Sequence, residues 1–390
     1  MKKFPILKIP DVVFREVTSM MTPTEIVKLS ISDFKLELLL RNRNYKINKI
    51  LFQTGNIHPK LDTSPKKLCL SVFFEKSEND KRNPVTQLAQ LHDTYREETD
   101  ERVYLTYVSL EEMFSIYSNL SRLFLCPFHN WALISDDMKP QEFREYTAKI
   151  LTLEFQRFSV HAKTMSNDLL TELMDKLPQK MEFFIDSNIP LDYSHPKALK
   201  FPLTIYTDAR WLKVEDLLSI RNLRNIKLGQ TNFDCSDVNK FIQYWSDCDE
   251  DMMKTVWIKL KEGTQIDEQQ LIKNLIVISD IYNGQLEWGW MFMKPRNMGD
   301  RKFVVGRLEF RENEVIFSAH DPSKGDFSNE YSILELVHQK RECEEKIRKM
   351  EKEFRGLRDT EKKKLQMELE ELERKLTDLN RAYKIRNVET

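Results

Sequence analysis

Glycine is scarce, with nine in 390 residues, and none sits in a phosphate-cradling or dinucleotide-binding spacing. Nucleotide chemistry therefore lacks its usual scaffold. The five cysteines (Cys69, Cys126, Cys235, Cys248 and Cys343) are odd in number, scattered and never spaced Cys-x-x-Cys. They read as free thiols of a reducing compartment. Charge of one sign is also lacking, because the formal net charge is only -1. The chain as a whole has no field to hold nucleic acid or an anionic membrane. No apolar run approaches the roughly 18 to 20 residues of a membrane span. The start, MKKFPILKIPDVVF, is basic and then apolar, but Pro5, Lys8, Pro10, Asp11 and Arg15 interrupt a signal-peptide core. The expectation is a soluble cytoplasmic or nuclear protein whose partners include neither nucleic acid nor membrane.

Catalytic constellations are missing as well. The seven histidines (His58, His92, His129, His161, His195, His320 and His338) stand apart from one another, without metal-ligand spacing. Cys126 and His129 form a lone Cys-x-x-His, and two ligands do not close a zinc site, so both are assigned to packing. No Gly-x-Ser-x-Gly elbow occurs. Asp136-Asp137 and Asp249-Glu250-Asp251 lie in polar, turn-like runs and read as solvated loop charges. Trp288 and Trp290 alternate along LEWGWMFM as one face of a strand, which suits packing better than a ligand surface. No catalytic residue, cofactor or metal ligand is expected, and the chain does not read as an enzyme.

What is present is a 41% hydrophobic, 32% charged chain, rich enough in apolar residues for real cores yet carrying a highly charged element besides. Three zones separate. Residues 1–50 carry helix-start signals; residues 65–320 alternate aromatic-rich strand-like runs with amphipathic segments; residues 331–390 lack proline and are dominated by Glu, Lys, Arg and Leu. Residues 53–64 and 319–329 read as linkers.

In the first zone Pro10 precedes a helix beginning near Asp11, on which Val13, Val17, Met20 and Met21 share a face. Thr22, Pro23 and Glu25 form a capping box opening a second short helix with Ile26 and Leu29 inward. A third helix is predicted over 33–50, with Phe34, Leu38, Tyr45 and Ile47 inward. Three such helices cannot bury this apolar surface among themselves, which implies a partner. The zone holds ten Lys/Arg and five Asp/Glu, a net +5 that suits an acidic partner surface.

The run FPILKIPDVVFREVTSMMTPTEIVKLSISDFKL resembles the F-box in its nematode form, through Phe4-Pro5, Leu7, Ile9-Pro10-Asp11, Val13, Val17, Met20, Pro23, Glu25-Ile26 and Leu29-Ser30. The resemblance implies docking to a Skp-family adaptor, and through it a cullin, by Leu7, Ile9, Pro10, Val13, Val17, Met20, Ile26 and Leu29.

The middle zone reads as strand-then-helix units. Strands are predicted at 150–155, 181–185, 203–206, 225–228 and 256–260, with helices at 167–176, 214–220 and 236–245, the last capped by Ser236. Their separations are those of leucine-rich-repeat units, though irregular. In LRNIKLGQTNFDCSDVNKFIQYW, residues Leu223, Ile226, Leu228, Asn232, Phe233, Val238, Phe241, Ile242 and Trp245 occupy the apolar and turn positions. This block, with Trp211 to Ile220 before it, resembles the type 2 F-box-associated domain. NLSRLFLCPFHNWALI and the hairpin-like VVGRLEFRENEVIFSA fit the same architecture. In that family the domain is the presumed substrate-recruiting part.

The last zone carries two heptad stripes: Cys343, Ile347, Met350, Phe354 and Leu357, then Leu365, Leu369, Leu372, Leu376, Leu379 and Tyr383. Gly356 and a TEKKK run separate them. One helix with a skip and two antiparallel helices both fit, so a homodimer through this segment and an intramolecular hairpin both stand. The expected fold class is α/β: an N-terminal three-helix F-box-like unit, an irregular leucine-rich-repeat-like domain, and a long charged C-terminal helix or helical hairpin. The implied function is a substrate-recruiting adaptor of a Skp/cullin/F-box ubiquitin ligase acting by proximity. The rival is a coiled-coil scaffold whose F-box-like region serves no ligase.

Overall fold

A computed structural model describes residues 8–54, 69–76, 100–280, 290–353 and 383–387, except positions 33, 42, 44, 48, 108, 137 and 326, together with ten positions between 360 and 374. The contacts divide the chain into two compact units, Met1–Asn188 and Ile189–Thr390, instead of the three zones expected.

The first unit opens with helices α1 (Asp11–Ser19), α2 (Pro23–Ser32) and α3 (Phe34–Arg41). Strands β1 (Tyr45–Lys46), β2 (Lys49–Thr54), β3 (Cys69–Lys76) and β4 (Asp100–Tyr107) follow. After them come α4 (Leu110–Leu123), β5 (Phe124–Leu125), β6 (His129–Ile134), α5 (Pro140–Ile150), β7 (Arg157–Thr164), α6 (Asn167–Lys176) and β8 (Glu182–Asn188). Six of these strands form an all-parallel sheet in the order β4-β3-β2-β6-β7-β8, and β1 pairs with β5 alone. Parallel sheets require both faces to be covered. On one of these faces Phe52, Trp131, Phe158 and Phe183 stand in a single row across four strands, with Ile50 two residues from Phe52, and all five are buried.

Two sequence expectations fail here for local reasons. The third helix stops at Arg41 instead of reaching Ile50, because beyond the Asn-rich run the apolar period becomes two. Ile50 and Phe52 point into the core from β2, an interior strand. The strand predicted at 150–155 is the end of α5 and a turn. Pro140 starts that helix, and Phe143, Tyr146, Thr147 and Ile150 are buried at helical spacing. The strand comes later, as β7.

The second unit contains β9 (Leu203–Asp208), α7 (Val214–Leu218), β10 (Leu223–Gln230), α8 (Cys235–Asp247), β11 (Met253–Lys259) and α9 (Glu268–Leu271). Then follow β12 (Ile276–Asp280), β13 (Met291–Met293), β14 (Val305–Arg311), β15 (Glu314–His320), α10 (Ser328–Glu353) and β16 (Tyr383–Asn387). Strand order is β9-β10-β11-β15-β14-β13-β12-β16, parallel among the first three and antiparallel after. Consecutive parallel neighbours recur in β6-β7-β8 and again in β9-β10-β11, the arrangement expected of repeat-like units. The reversal of strand order at β2 and the antiparallel half of the second unit are outside that pattern. The chain is thus mixed α/β with largely parallel pairing.

One face of the second unit's sheet lies under α8. Phe241 and Trp245 pack edge-on against Phe317 with ring centroids 6.1 and 4.8 Å away. Asp234, not Ser236, caps this helix, accepting from the Ser236 and Asp237 N–H groups at 2.8 and 3.1 Å. The other face is covered over β12, β13 and β14 by α10, whose Ile333, Leu334 and Val337 pack on Ile278, Phe292 and Val305. Described positions between 360 and 374 are helical, and the Glu368 carboxylate lies near enough to Cys343 on α10 to help burial push that thiol up. The chain then returns as β16 on the edge of β12, with Ile278 opposite Ile385.

Candidate docking surface

The N-terminal helices are positioned by a few polar ties. Asp11, in the first turn of α1, pairs with Arg15 on its own helix and with Arg43 beyond α3, each at 2.7 Å. These two cations hold the Asp11 carboxyl below its usual range against the opposing effect of desolvation. The Arg43 guanidinium lies 5.1 Å from the ring of Phe14, which is buried. In α2, the capping box forms as the sequence indicates: the Thr22 N–H donates to Glu25 Oε2 at 2.9 Å, and the Glu25 N–H donates to Thr22 Oγ1 at 3.3 Å. At the end of α3, Arg41 pairs with buried Glu37 and donates to Asn119 Oδ1 of α4 at 3.0 Å, joining the helices to the rest of the first unit.

With α1 so fixed, its inward residues are Phe14 and Thr18. Helix geometry puts Val13, Val17 and Met20 together on a stripe about 100° away from them. Met20 is 77% exposed and Val13 46%, while Val17 and Ile9 are half-buried and Pro10 is exposed. The structure therefore brings Val13, Val17 and Met20 to one accessible face. It removes Ile26 from the proposed set, because that side chain is 1% exposed and packs inside with Val27. Leu29 is half-buried. Leu7 lies outside the described residues.

Three more apolar side chains are exposed on these helices: Val12 and Leu39, which sequence reasoning did not assign, and Leu38, which it placed inward on the third helix. Among the described residues, nine large apolar side chains are exposed, and five of them (Val12, Val13, Met20, Leu38 and Leu39) lie between residues 12 and 39. Exposed apolar side chains are ordinary when scattered, and informative when concentrated. The signal in the sequence was the run LELLL in α3: at helical spacing its four leucines cannot all face inward, and Leu36 and Leu40 take the buried side.

Elsewhere the polar groups are engaged structurally. Cys126 Sγ donates to the Phe128 carbonyl at 3.1 Å, and His129 lies among the rings of Phe52 and Tyr117, where burial lowers its pKa. Asp136 accepts from the Lys163 N–H and Asp251 from the Lys302 and Phe303 N–H groups. Trp290 lies under the Arg307 guanidinium, 5.0 Å from ring to cation; Trp288 lies outside the described residues. Strand order in the first unit reverses between β2 and β6, the place where open parallel sheets commonly take ligands. The residues that follow Thr54 there are outside the described set. No group of three or more His, Cys, Asp or Glu placed to hold a metal occurs among the described residues. No described helix is long and apolar enough to cross a membrane. Comparison with known proteins finds no family model, no curated protein and no solved structure that matches this chain.

Proposed function

We propose that the chain is a non-catalytic adaptor that docks a Skp-family protein through α1 and α3 and presents a substrate to a cullin-based ubiquitin ligase. The observation that carries this reading is the concentration of exposed apolar side chains on two short helices, Val12, Val13 and Met20 on the first and Leu38 and Leu39 on the third. Burying such a group against a partner gains free energy that solvent exposure leaves unused. The surrounding basic excess suits an acidic partner. The F-box-like order of Pro10, Val13, Val17, Met20 and the Thr22 capping box supports the choice of partner. The proposed docking set is Val13, Val17 and Met20 with Val12, Leu38 and Leu39.

Function would be proximity: a bound substrate lysine is held near a ubiquitin-conjugating enzyme, and the chain contributes effective concentration without bond chemistry. The scaffold reading requires the C-terminal heptad positions to be free for a second chain. Of those positions, Cys343 is buried within the same chain and Ile347 is half-buried, which speaks against it.

The test is co-purification of a Skp-family protein with the intact chain and with Val13→Asp/Met20→Asp. Both side chains are exposed, so the variant folds, and binding should fall by about 2 kcal/mol or more, roughly thirtyfold. Undiminished binding by the folded variant removes the docking claim.

A further inference from the structure

The sheet face that α10 covers over β12, β13 and β14 continues beyond it without a described helix above, across β15, β11, β10 and β9. Burial along these strands alternates accordingly. On β9, and on β11 from Thr255 to Lys259, the residues facing α8 are buried and those between them are half-buried. Register aligns Ile316, Trp257, Lys227 and Ile205 as one row across four strands. Lys259 lies two residues beyond Trp257 on the same face. With strands about 4.8 Å apart, the row is roughly 14 Å long, enough to receive a short stretch of another chain.

The wall beside α10 is built from charge that is already matched. Glu309 on β14 is buried, and Arg311 and Arg307 flank it at 2.6 and 3.6 Å. Arg307 is itself held between the rings of Trp290 and Phe327, at 5.0 and 5.6 Å. Lys227 and Lys259 are different: neither belongs to an ion pair among the described residues, though Glu314 stands opposite Lys259 in the ladder. Counting Lys227, Lys259, Arg307 and Arg311 against Glu309 and Glu314, this face is net positive in a chain whose formal net charge is -1. A half-buried indole flanked by free ammonium groups favours a ligand that pairs an apolar side chain with carboxylates.

We infer that the open row Ile316–Trp257–Lys227–Ile205, with Lys259, binds an acidic segment of a protein partner that carries a large apolar anchor beside its carboxylates. A peptide is favoured over single-stranded RNA because Glu309 and Glu314 share the face and would repel a continuous phosphate backbone, and because one indole makes a poor stacking track. The inference rests on the adaptor reading only in identifying this partner as the ligase substrate.

A displayed library of random 12-residue peptides, panned on the full chain, tests it. The expected result is enrichment of Asp or Glu next to Leu, Phe or Trp. Labelled copies of the selected peptides should lose at least tenfold in affinity on Lys227→Glu/Lys259→Glu, and copies with the acidic residues changed to Lys should regain binding there. Thermal melting checks that the variant is folded. No enrichment, enrichment without acidic residues, equal binding to the charge-reversed variant, or binding of a fifteen-residue oligouridylate to this face in place of peptides would overturn the inference. The Val13→Asp/Met20→Asp chain separates the two proposals: it should keep peptide binding while losing the Skp-family protein. Loss of either activity alone therefore identifies which reading failed.

Discussion

Arg301 shows how a single side chain can hold an element that periodicity alone cannot complete. Its guanidinium donates to the carbonyls of Trp245 and Cys248 at 2.6 and 3.0 Å, at the end of α8, and lies 4.5 Å from the Trp245 ring. A cation there offsets the negative end of the helix and satisfies carbonyls that have no helical partner. The apolar side of this contact was legible: Val238, Phe241, Ile242 and Trp245 are all fully buried, as their spacing indicates. Asn232 was legible as a turn residue, and its amide donates to the Arg210 carbonyl at 2.8 Å. Arg301 was not, because a cation paired with main-chain carbonyls 53 and 56 residues away leaves no pattern in sequence. Gly306 is the complementary case. A Cβ built there would lie 2.8 Å from the Trp245 ring, 2.9 Å from Met293 and 2.9 Å from Phe317. Gly306→Ala should therefore destabilise the second unit by about 1 to 3 kcal/mol through overpacking. Urea unfolding followed by tryptophan fluorescence checks this, and an unchanged midpoint would show that the three neighbours yield freely.

Among elements, those whose apolar period is unmixed were read almost to the residue. The helix at 167–176 matches α6, the 304–319 hairpin covers β14 and all of β15 but His320, and the strands near 182, 203, 225 and 256 are all present. Helix and strand were confused where a short apolar run could serve either period, as at 33–50 and 150–155. The element hardest to foresee was β16, since its residues follow a charged helical stretch and gain their structure only by pairing with β12. On α10, His338 supplies a test of how that helix is held. Burial lowers its pKa to about 4 from 6.5, with Lys294, Arg341 and Arg296 adding to the shift and Glu335 opposing it. Between those two values the unfolded chain takes up a proton that the folded chain refuses. Stability is therefore retained above about pH 6.5 and falls as pH drops toward 4, by a total on the order of 2 to 3 kcal/mol. Denaturant unfolding at pH 7 and 4.5 should show a steeper loss for the natural chain than for His338→Gln. Parallel losses would mean that the imidazole is hydrated in the folded state.

At the scale of the whole chain, the sequence composition announces a charged C-terminal helix but leaves open whether its stripe meets a second chain or its own. The answer depends on contacts far apart in sequence, which a heptad count does not contain. Three such contacts point inward: α10 packs its Ile333, Leu334 and Val337 on the second unit's sheet, Cys343 is buried with Glu368 nearby, and β16 pairs with β12. We therefore expect a monomer, whose mass by light scattering is 46.6 kDa. Truncation after Glu353 tests the same point from the other side. It leaves α10 on the sheet but removes β16, so the backbone N–H and C=O groups of one edge of β12 lose their partner. An unpaired edge with the sequence IVISD is a template for pairing with another chain. The truncated protein should consequently show a higher mass or aggregate, while the intact chain stays monomeric. An intact dimer that becomes a monomer on truncation would assign the C-terminal segment to dimerisation, and the intramolecular arrangement would then be wrong for the protein in solution.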